Sequence, residues 1–115
     1  MPADCLFCRI AAKQVPAKVV FENERIVAFE DIAPAAPTHL LVVPREHVVS
    51  TLEVAPGTHA LVGELVATAA QLARERGIAE SGYRLVFNTG PASGQTVLHL
   101  HLHLLGGRRF RWPPG

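Results

Sequence analysis

The chain has 115 residues, a formal net charge of +1 and 49% hydrophobic residues. This length fits one domain with one core, and the near-neutral charge argues against a polyanion-binding surface, so we expect no nucleic-acid partner. The sequence contains no stretch of membrane-spanning length and begins without the basic and apolar regions of a signal peptide. We therefore expect no membrane association and a cytoplasmic location.

Hydrophobic periodicity and turn residues predict two helices and five strands. A short helix is expected over about 5–13, capped by Asp4, and the main helix over 58–76, followed by Gly77 as its terminating residue. The strands are expected, in chain order, at 19–22, 26–29, 39–43, 83–88 and 97–104. Hairpin-length links between most strands favour an antiparallel α+β domain over a doubly wound parallel sheet.

The most informative segment is the run 99–105, in which histidine and leucine alternate. Alternate side chains of a β-strand point the same way, so His99, His101 and His103 are expected on one face and the leucines of 98–104 on the other. Such a row of imidazoles can move protons, attack an electrophile or bind a metal. The three rings cannot share one tetrahedral ion, because alternate residues lie about 6.6 Å apart, so a metal site needs other ligands.

The pattern His-φ-His-φ-His-φ-φ, where φ is apolar, resembles the signature of the histidine triad (HIT) superfamily. The resemblance covers nearly the whole chain, and the matching segments resemble the Hint branch of this superfamily. The segments that carry it are Phe29-Glu30-Asp31-Ile32, Ala36-Pro37-Thr38-His39, Gly82-Tyr83-Arg84, Asn88, Gly94-Gln95-Thr96, Leu105-Gly106-Gly107-Arg108 and Trp112-Pro113-Pro114-Gly115. It implies one HIT domain over 1–115, whose sheet continues across a homodimer and whose tail, about 106–115, lies at the dimer interface and active site.

The resemblance also implies a reaction, the hydrolysis of nucleoside phosphoramidates, which are adenosine or other purine 5′-monophosphates joined through phosphorus to an amine. His101 would be the nucleophile, forming a covalent nucleotidyl-histidine while its other ring nitrogen donates to a backbone carbonyl of the triad strand. His103 would contact the phosphate and help deliver a proton to the leaving amine. His39 and His99 would lie behind His101 and orient it. No cofactor is implied for the chemistry itself.

The same resemblance assigns a nucleotide site. Asp31 would bind the ribose hydroxyls, although the residue type alone fits an ordinary turn aspartate. Asn88 would lie near the phosphate and sugar. Gly94 would let the backbone approach the phosphate, to which the N–H groups of Gln95 and Thr96 would donate. The apolar walls of the base slot would be Leu6, Phe7, Ile10, Val15, Phe29 and Ile32.

Two cysteines, Cys5 and Cys8, lie three residues apart at the predicted start of the first helix. This spacing alone leaves redox chemistry, metal ligation and plain packing open, and a structural zinc needs two further ligands. Some HIT members hold zinc with such a pair, a histidine after the central strand and the first triad histidine. The resemblance thus implies a structural zinc bound by Cys5, Cys8, His47 and His99, with no part in the chemistry.

Three other functions remain open from the sequence. A sister-branch activity would cleave dinucleoside polyphosphates or transfer nucleotidyl groups. A nucleotide-binding interaction module would bind purine nucleotides with little turnover, but such a module would not need the nucleophile. A metal-dependent hydrolase would lose its activity on chelation. The basic cluster Arg108, Arg109 and Arg111 is expected to be solvated or to contact another subunit, and Trp112 to shape the partner's pocket for the leaving group.

Overall fold

The fold is built on one antiparallel sheet in the structure, a computed structural model that describes residues 4–115. The helices are α1 (Leu6–Ala11) and α2 (His59–Glu75), and the strands are β1 (Val19–Glu22), β2 (Ile26–Glu30), β3 (Thr38–Pro44), β4 (Tyr83–Phe87) and β5 (Leu102–Gly106). The strand order is β1-β2-β3-β5-β4. The predicted five-stranded α+β architecture is therefore confirmed. Within residues 4–115, no helix combines the length and apolar character needed to cross a membrane.

The central strands are covered on both faces of the sheet. Strands β2 and β3 pair along their full length, with Ala28 opposite Val42 and Phe29 opposite Leu41. Ala28 and Val42 face the cluster that packs on α2, whereas Phe29 and Leu41 belong to the cluster that includes Phe7 of α1. This period-two alternation places α2 on one face and α1 on the other, and we call the latter the α1 face.

Helix α2 forms where the apolar stripe predicts it. Leu61, Leu65, Ala69 and Leu72 are all buried against the sheet. Gly77 has φ +74°, the left-handed conformation that favours glycine after a helix, and its N–H donates to the carbonyl of Arg74 at 3.1 Å. The helix thus anchors the back of the sheet and leaves the opposite face for α1.

The prediction for the first helix was wrong at both ends. The capping residue is Cys5 rather than Asp4, because the Cys5 Sγ atom accepts the N–H of Cys8 at 3.4 Å. The helix ends at Ala11, and Lys13 has φ +61°, which takes the chain out of helical geometry. The consequence is that both cysteines lie in the first turn, where they point to the sheet.

The histidine run is less regular than predicted. Its regular strand begins at Leu102 instead of 97, and the N–H of Leu100 donates to the carbonyl of Val48 at 2.6 Å rather than to a neighbouring strand. The leucines at 100, 102 and 104 are buried as expected, but Leu98 is 62% exposed. Strand pairing therefore covers only the carboxyl end of the run, whereas His99 and His101 lie in an irregular segment.

Candidate active site

His101 is held in one tautomer by the backbone. Its Nδ1–H donates to the carbonyl oxygen of His99 at 2.7 Å, and a carbonyl can only accept, so Nδ1 carries the proton. In the neutral ring the other nitrogen, Nε2, then has a free lone pair. Phe7 packs edge-on against the imidazole at a centroid distance of 5.0 Å. The ring is 92% buried by these neighbours and cannot rotate freely.

His101 lies in the wall of a cavity of about 370 Å³ on the α1 face. The polar part of the wall contains Glu30, Asp31, Thr96 and His103 beside His101. All of the apolar residues predicted for a base slot line the same cavity, namely Leu6, Phe7, Ile10, Val15, Phe29 and Ile32. The cavity is thus mostly apolar with a few polar groups at one end, the usual form of a small-molecule site.

His39 was predicted to lie behind His101, but the structure places it against His103 instead. Its Nδ1 accepts the backbone N–H of Ala35 at 3.0 Å, so this nitrogen is unprotonated. Neutral His39 must therefore carry its proton on Nε2, which lies 2.9 Å from Nδ1 of His103 and 3.3 Å from a carboxylate oxygen of Asp31. His103 accepts at Nδ1 and carries its own proton on Nε2. We call Asp31, His39 and His103 the relay cluster.

Burial keeps both rings of this pair uncharged. Burial lowers the pKa of His103 to about 4, with the nearby rings of His101 and His39 adding to the effect and Asp31 opposing it. Burial also lowers the pKa of His39, against the pull of Asp31. At neutral pH His103 in the relay cluster is therefore uncharged and offers an N–H donor at Nε2. The rings of His101 and His103 are 5.0 Å apart between centroids.

Asp31 makes a turn contact and also borders the cavity. One carboxylate oxygen accepts the N–H of Ala33 at 2.8 Å, which is the turn contact that the residue type suggests. The other lies 3.3 Å from His39 Nε2, and the residue borders the cavity. A carboxylate has about four lone-pair positions, so these contacts leave room for hydroxyl donors from a ligand.

The loop before the histidine run matches the prediction only in part. Thr96 lines the cavity, but Asn88, Gly94 and Gln95 lie outside its lining. Gly94 has φ +91°, a conformation that favours glycine. The Gln95 side chain fastens the loop, because its amide nitrogen donates to the carbonyl of Val49 at 2.9 Å and its amide oxygen accepts from Gly90 N–H at 2.9 Å. The Gln95 N–H itself donates to the Gly90 carbonyl at 3.4 Å.

The other side of His101 adjoins a second group of titratable side chains, which we call the metal-ligand cluster and which consists of Cys5, Cys8, His47 and His99. Its four donor atoms all lie within 4.8 Å of one another. Nδ1 of His99 is 3.3 Å from Cys5 Sγ, 3.5 Å from Cys8 Sγ and 3.2 Å from His47 Nδ1. Tetrahedral zinc with bonds of about 2.0–2.3 Å would separate its ligand atoms by roughly 3.3–3.8 Å, so the observed spacing suits such an ion.

The tautomer of His99 also suits a metal. Its Nε2–H donates to the carbonyl of Pro44 at 2.8 Å, which leaves the lone pair on Nδ1 directed at the other three donor atoms. The ring is fully buried, and burial lowers its pKa. Burial raises the pKa of Cys8 to about 11, with the hydrogen bond and charge of Cys5 acting in the same direction. A cation at this point would reverse that shift and stabilise the thiolate.

Five residues that line the cavity were missed by the sequence reasoning, namely Pro16, Ala17, Glu30, Leu41 and Val97. Leu41 neighbours Leu40 in the strand, and the period-two pattern assigns the two to opposite faces. That alternation was a usable signal for Leu41. Glu30 is the last residue of β2. Pro16, Ala17 and Val97 lie in irregular segments, where no periodicity indicates which way a side chain points.

Comparison with known proteins places the chain in a family. The HIT domain family matches residues 12–110, and the chain belongs to that family. An uncharacterised HIT-like protein of Synechococcus elongatus is 48% identical over the full length of both chains. A protein of Zea mays described as a 14 kDa zinc-binding protein is 44% identical over 96% of this chain and 87% of its own length.

A solved structure gives the same result for the fold. The crystal structure of a HIT family hydrolase from Legionella pneumophila superimposes with a TM-score of 0.96 at 50% sequence identity. The match covers 97% of this chain and all of that one. The family match and the superposition therefore agree over nearly the whole chain.

Proposed function

We propose that the chain is a nucleoside phosphoramidate hydrolase that acts through a covalent nucleotidyl intermediate on His101. The observation that carries the proposal is the orientation of the His101 ring, which lines the cavity and whose Nδ1 is hydrogen-bonded to the His99 carbonyl at 2.7 Å, so that the lone pair of the neutral ring is on Nε2. A neutral imidazole with one free nitrogen is a competent nucleophile near pH 7, and the resulting phosphoryl-imidazole is labile. The description of the Legionella relative as a hydrolase supports this class of reaction.

In the first step Nε2 of His101 attacks phosphorus, and the bond between phosphorus and the amine nitrogen breaks. His103 Nε2–H donates a hydrogen bond to the leaving nitrogen, where charge develops, and so stabilises its departure. The proton that completes the amine comes from solvent, because neutral His103 would become an imidazolate if it gave up its own. Water then displaces His101 from phosphorus and releases the nucleoside monophosphate. The water of the second step returns one proton to solvent. His39 supports both steps because its Nε2–H donates to Nδ1 of His103, which keeps the proton of His103 on Nε2.

The proposed substrate lies with its purine in the apolar part of the cavity, beside the edge-to-face pair of Phe7 and Phe29, and with its ribose near Asp31. Of the two loop N–H groups predicted to bind the phosphate, that of Thr96, which lines the cavity, would donate to it, whereas the Gln95 N–H donates to the Gly90 carbonyl. Phosphoramidate hydrolysis is favoured over polyphosphate cleavage, because a hydrogen bond from His103 is most useful to an amine nitrogen, which is a much poorer leaving group than a phosphate.

The metal-ligand cluster is proposed to hold a structural zinc. The donor set of two cysteines and two histidines, the ligand spacing of 3.2–3.5 Å around His99 Nδ1 and the name of the Zea mays relative support it. Bound zinc would supply a four-coordinate link between α1 and the end of β3, with no open position for catalysis.

A homodimer is also part of the proposal. Strand β4 lies at one end of the sheet order, and Leu85 within it is 36% exposed, so this edge offers backbone groups and apolar surface to a second copy. Trp112 in the tail is 81% exposed and would gain cover from the same contact. Sedimentation velocity of the full chain is expected to give twice the monomer mass at micromolar concentration.

The experiment that tests the function compares two substrates with and without the nucleophile. Adenosine 5′-phosphoramidate joined to a fluorescent amine is expected to be hydrolysed much faster than diadenosine polyphosphate. His101→Asn is expected to lower kcat by at least about 10³-fold while leaving the affinity for AMP within a few-fold. Turnover by the variant at the parent rate would contradict the mechanism, and faster cleavage of the polyphosphate would favour the sister activity.

A further inference from the structure

The metal-ligand cluster and the nucleophile are joined through a single residue, His99. The His99 ring is fully buried and its Nδ1 is one of the four clustered donor atoms. The carbonyl of the same residue accepts the Nδ1–H of His101 at 2.7 Å. The ring of His99 and the acceptor that fixes the tautomer of His101 thus belong to one residue, and a change that shifts the His99 backbone would move that acceptor.

Cys5 and Cys8 are also placed for a redox reaction with each other. They occupy the N-cap and the first turn of α1, and the two sulfur atoms belong to the set lying within 4.8 Å. A Cys-X-X-Cys pair at the beginning of a helix is a spacing at which intramolecular disulfides form. Both thiols are free in the structure.

A second cavity gives small molecules a route to this pair. It has a volume of about 430 Å³ and is open to solvent, with Cys5 and His47 in its wall. Leu6, Thr96 and Val97 line this cavity and the nucleotide cavity alike, so the two share one wall. An oxidant can thus reach Cys5 without entering the catalytic cavity.

We propose that Cys5 and Cys8 form a thiol switch, in which a peroxide converts them to a disulfide, dismantles the metal-ligand cluster and releases the His99 segment that orients His101. The inference rests on the proposed function, because it assigns regulation to the same nucleophile. The half-buried Cys5 is the sulfur that reacts first, and the buried Cys8 resolves it.

The reaction balances with hydrogen peroxide as the oxidant. The Cys5 sulfur attacks one peroxide oxygen, the O–O bond breaks, and a sulfenic acid and water form. The Cys8 sulfur then attacks the Cys5 sulfur, and the hydroxyl leaves as a second water with the Cys8 proton. Two thiols have lost two electrons and two protons, and the peroxide has been reduced to two waters. The disulfide retains neither thiolate, so half of the ligand set is lost and the remaining two histidines hold zinc weakly.

The experiment uses the full chain loaded with zinc and treated with hydrogen peroxide. Peptide mass mapping is expected to show one disulfide between Cys5 and Cys8, and a colorimetric chelator to show release of about one zinc per chain. The ¹⁵N resonances of the His101 ring are expected to change from one fixed tautomer to an exchanging mixture. Phosphoramidate hydrolysis is expected to fall by about tenfold or more and to recover with dithiothreitol and zinc.

Cys5→Ser is the matched control, and each protein is compared with its own untreated sample. The variant is expected to keep its rate and its His101 spectrum through the peroxide treatment. The switch is overturned if no disulfide forms, if the disulfide leaves the His101 resonances and the rate unchanged, or if peroxide inactivates Cys5→Ser equally. Should the untreated protein hydrolyse no phosphoramidate, the proposed function fails, while the zinc and ¹⁵N readouts still decide the switch.

Discussion

Two histidine-containing clusters flank His101 on the α1 face. They differ in the backbone group to which one histidine ring of each cluster is hydrogen-bonded. His99 in the metal-ligand cluster donates its Nε2–H to the Pro44 carbonyl, so its lone pair turns toward three other donor atoms. His39 in the relay cluster accepts the Ala35 N–H at Nδ1, so its remaining nitrogen carries a proton.

That difference assigns the clusters to separate uses. The ligand atoms of Asp31, His39 and His103 also lie within 4.8 Å of one another, which by distance alone suits a metal. A metal on His39 Nε2 would require removal of the proton that the Ala35 contact places there, and imidazolate formation is costly near neutral pH. Distances alone therefore do not separate a proton relay from a metal site, whereas the backbone partner of each ring does.

The largest expected difference between the two clusters is in zinc binding. Cys8→Ala is expected to abolish binding of one zinc per chain, and the zinc-dependent stabilisation with it. For zinc at about a thousand times its dissociation constant, this stabilisation is about 4 kcal/mol, or roughly 10–20 °C in Tm. Thermal melts of chelated protein with and without added zinc measure it.

His39→Ala is the matched variant in the relay cluster. It is expected to bind one zinc per chain and to show the same zinc-dependent rise in Tm as the parent. Zinc retained by Cys8→Ala, or lost from His39→Ala, would show that the two clusters are assigned the wrong way round.

A smaller effect concerns the rate. His39→Ala removes the donor to Nδ1 of His103 and frees His103 to take the wrong tautomer, so kcat is expected to fall by about 10–100-fold with little change in KM. His59→Ala is the control, because His59 is an exposed histidine at the beginning of α2. The relay would be refuted by a His39→Ala variant as fast as His59→Ala.

The smallest effect concerns stability in acid. Burial lowers the pKa of His103 to about 4 from an ordinary value of 6.5, so the unfolded chain binds more protons than the native protein between these values. The free energy of unfolding therefore falls as pH decreases from 7, by about 2 kcal/mol from His103 alone at pH 5. Urea titrations at pH 7 and pH 5 measure this.

His103→Asn has no group to titrate at this position and is expected to lose less stability than the parent between the same two pH values. Equal slopes for the two proteins would mean that His103 is not held neutral in the native state.

The sequence predicted the fold well because its patterns are periodic. Alternation in β2 and β3 and the stripe of α2 each report which side chains are buried, and the structure agrees at Leu65, Val42 and Phe29. The histidine run was misjudged at its beginning, because the Leu100 N–H bonds to Val48 rather than to a strand. That contact joins residues distant in the chain and has no local signature.

The sequence predicted which residues form the candidate site better than it predicted the hydrogen bonds among them. The residues at the base slot and the metal-ligand cluster do converge, and residues such as Phe7 and Cys8 occupy the regions expected. The position of His39 was wrong, because its partners are set by the turn that brings the Ala35 amide onto the ring. Ring tautomers depend on such single backbone contacts, which composition and spacing do not encode.

The most direct test of the central claim is mass spectrometry of protein mixed for milliseconds with adenosine 5′-phosphoramidate and quenched in base, where phosphohistidine-type bonds survive. The account predicts an added adenylyl group that maps to His101 and is absent from His101→Asn. An adduct on another residue, or steady turnover with no adduct at any mixing time, would contradict a nucleophile held ready by the carbonyl of His99.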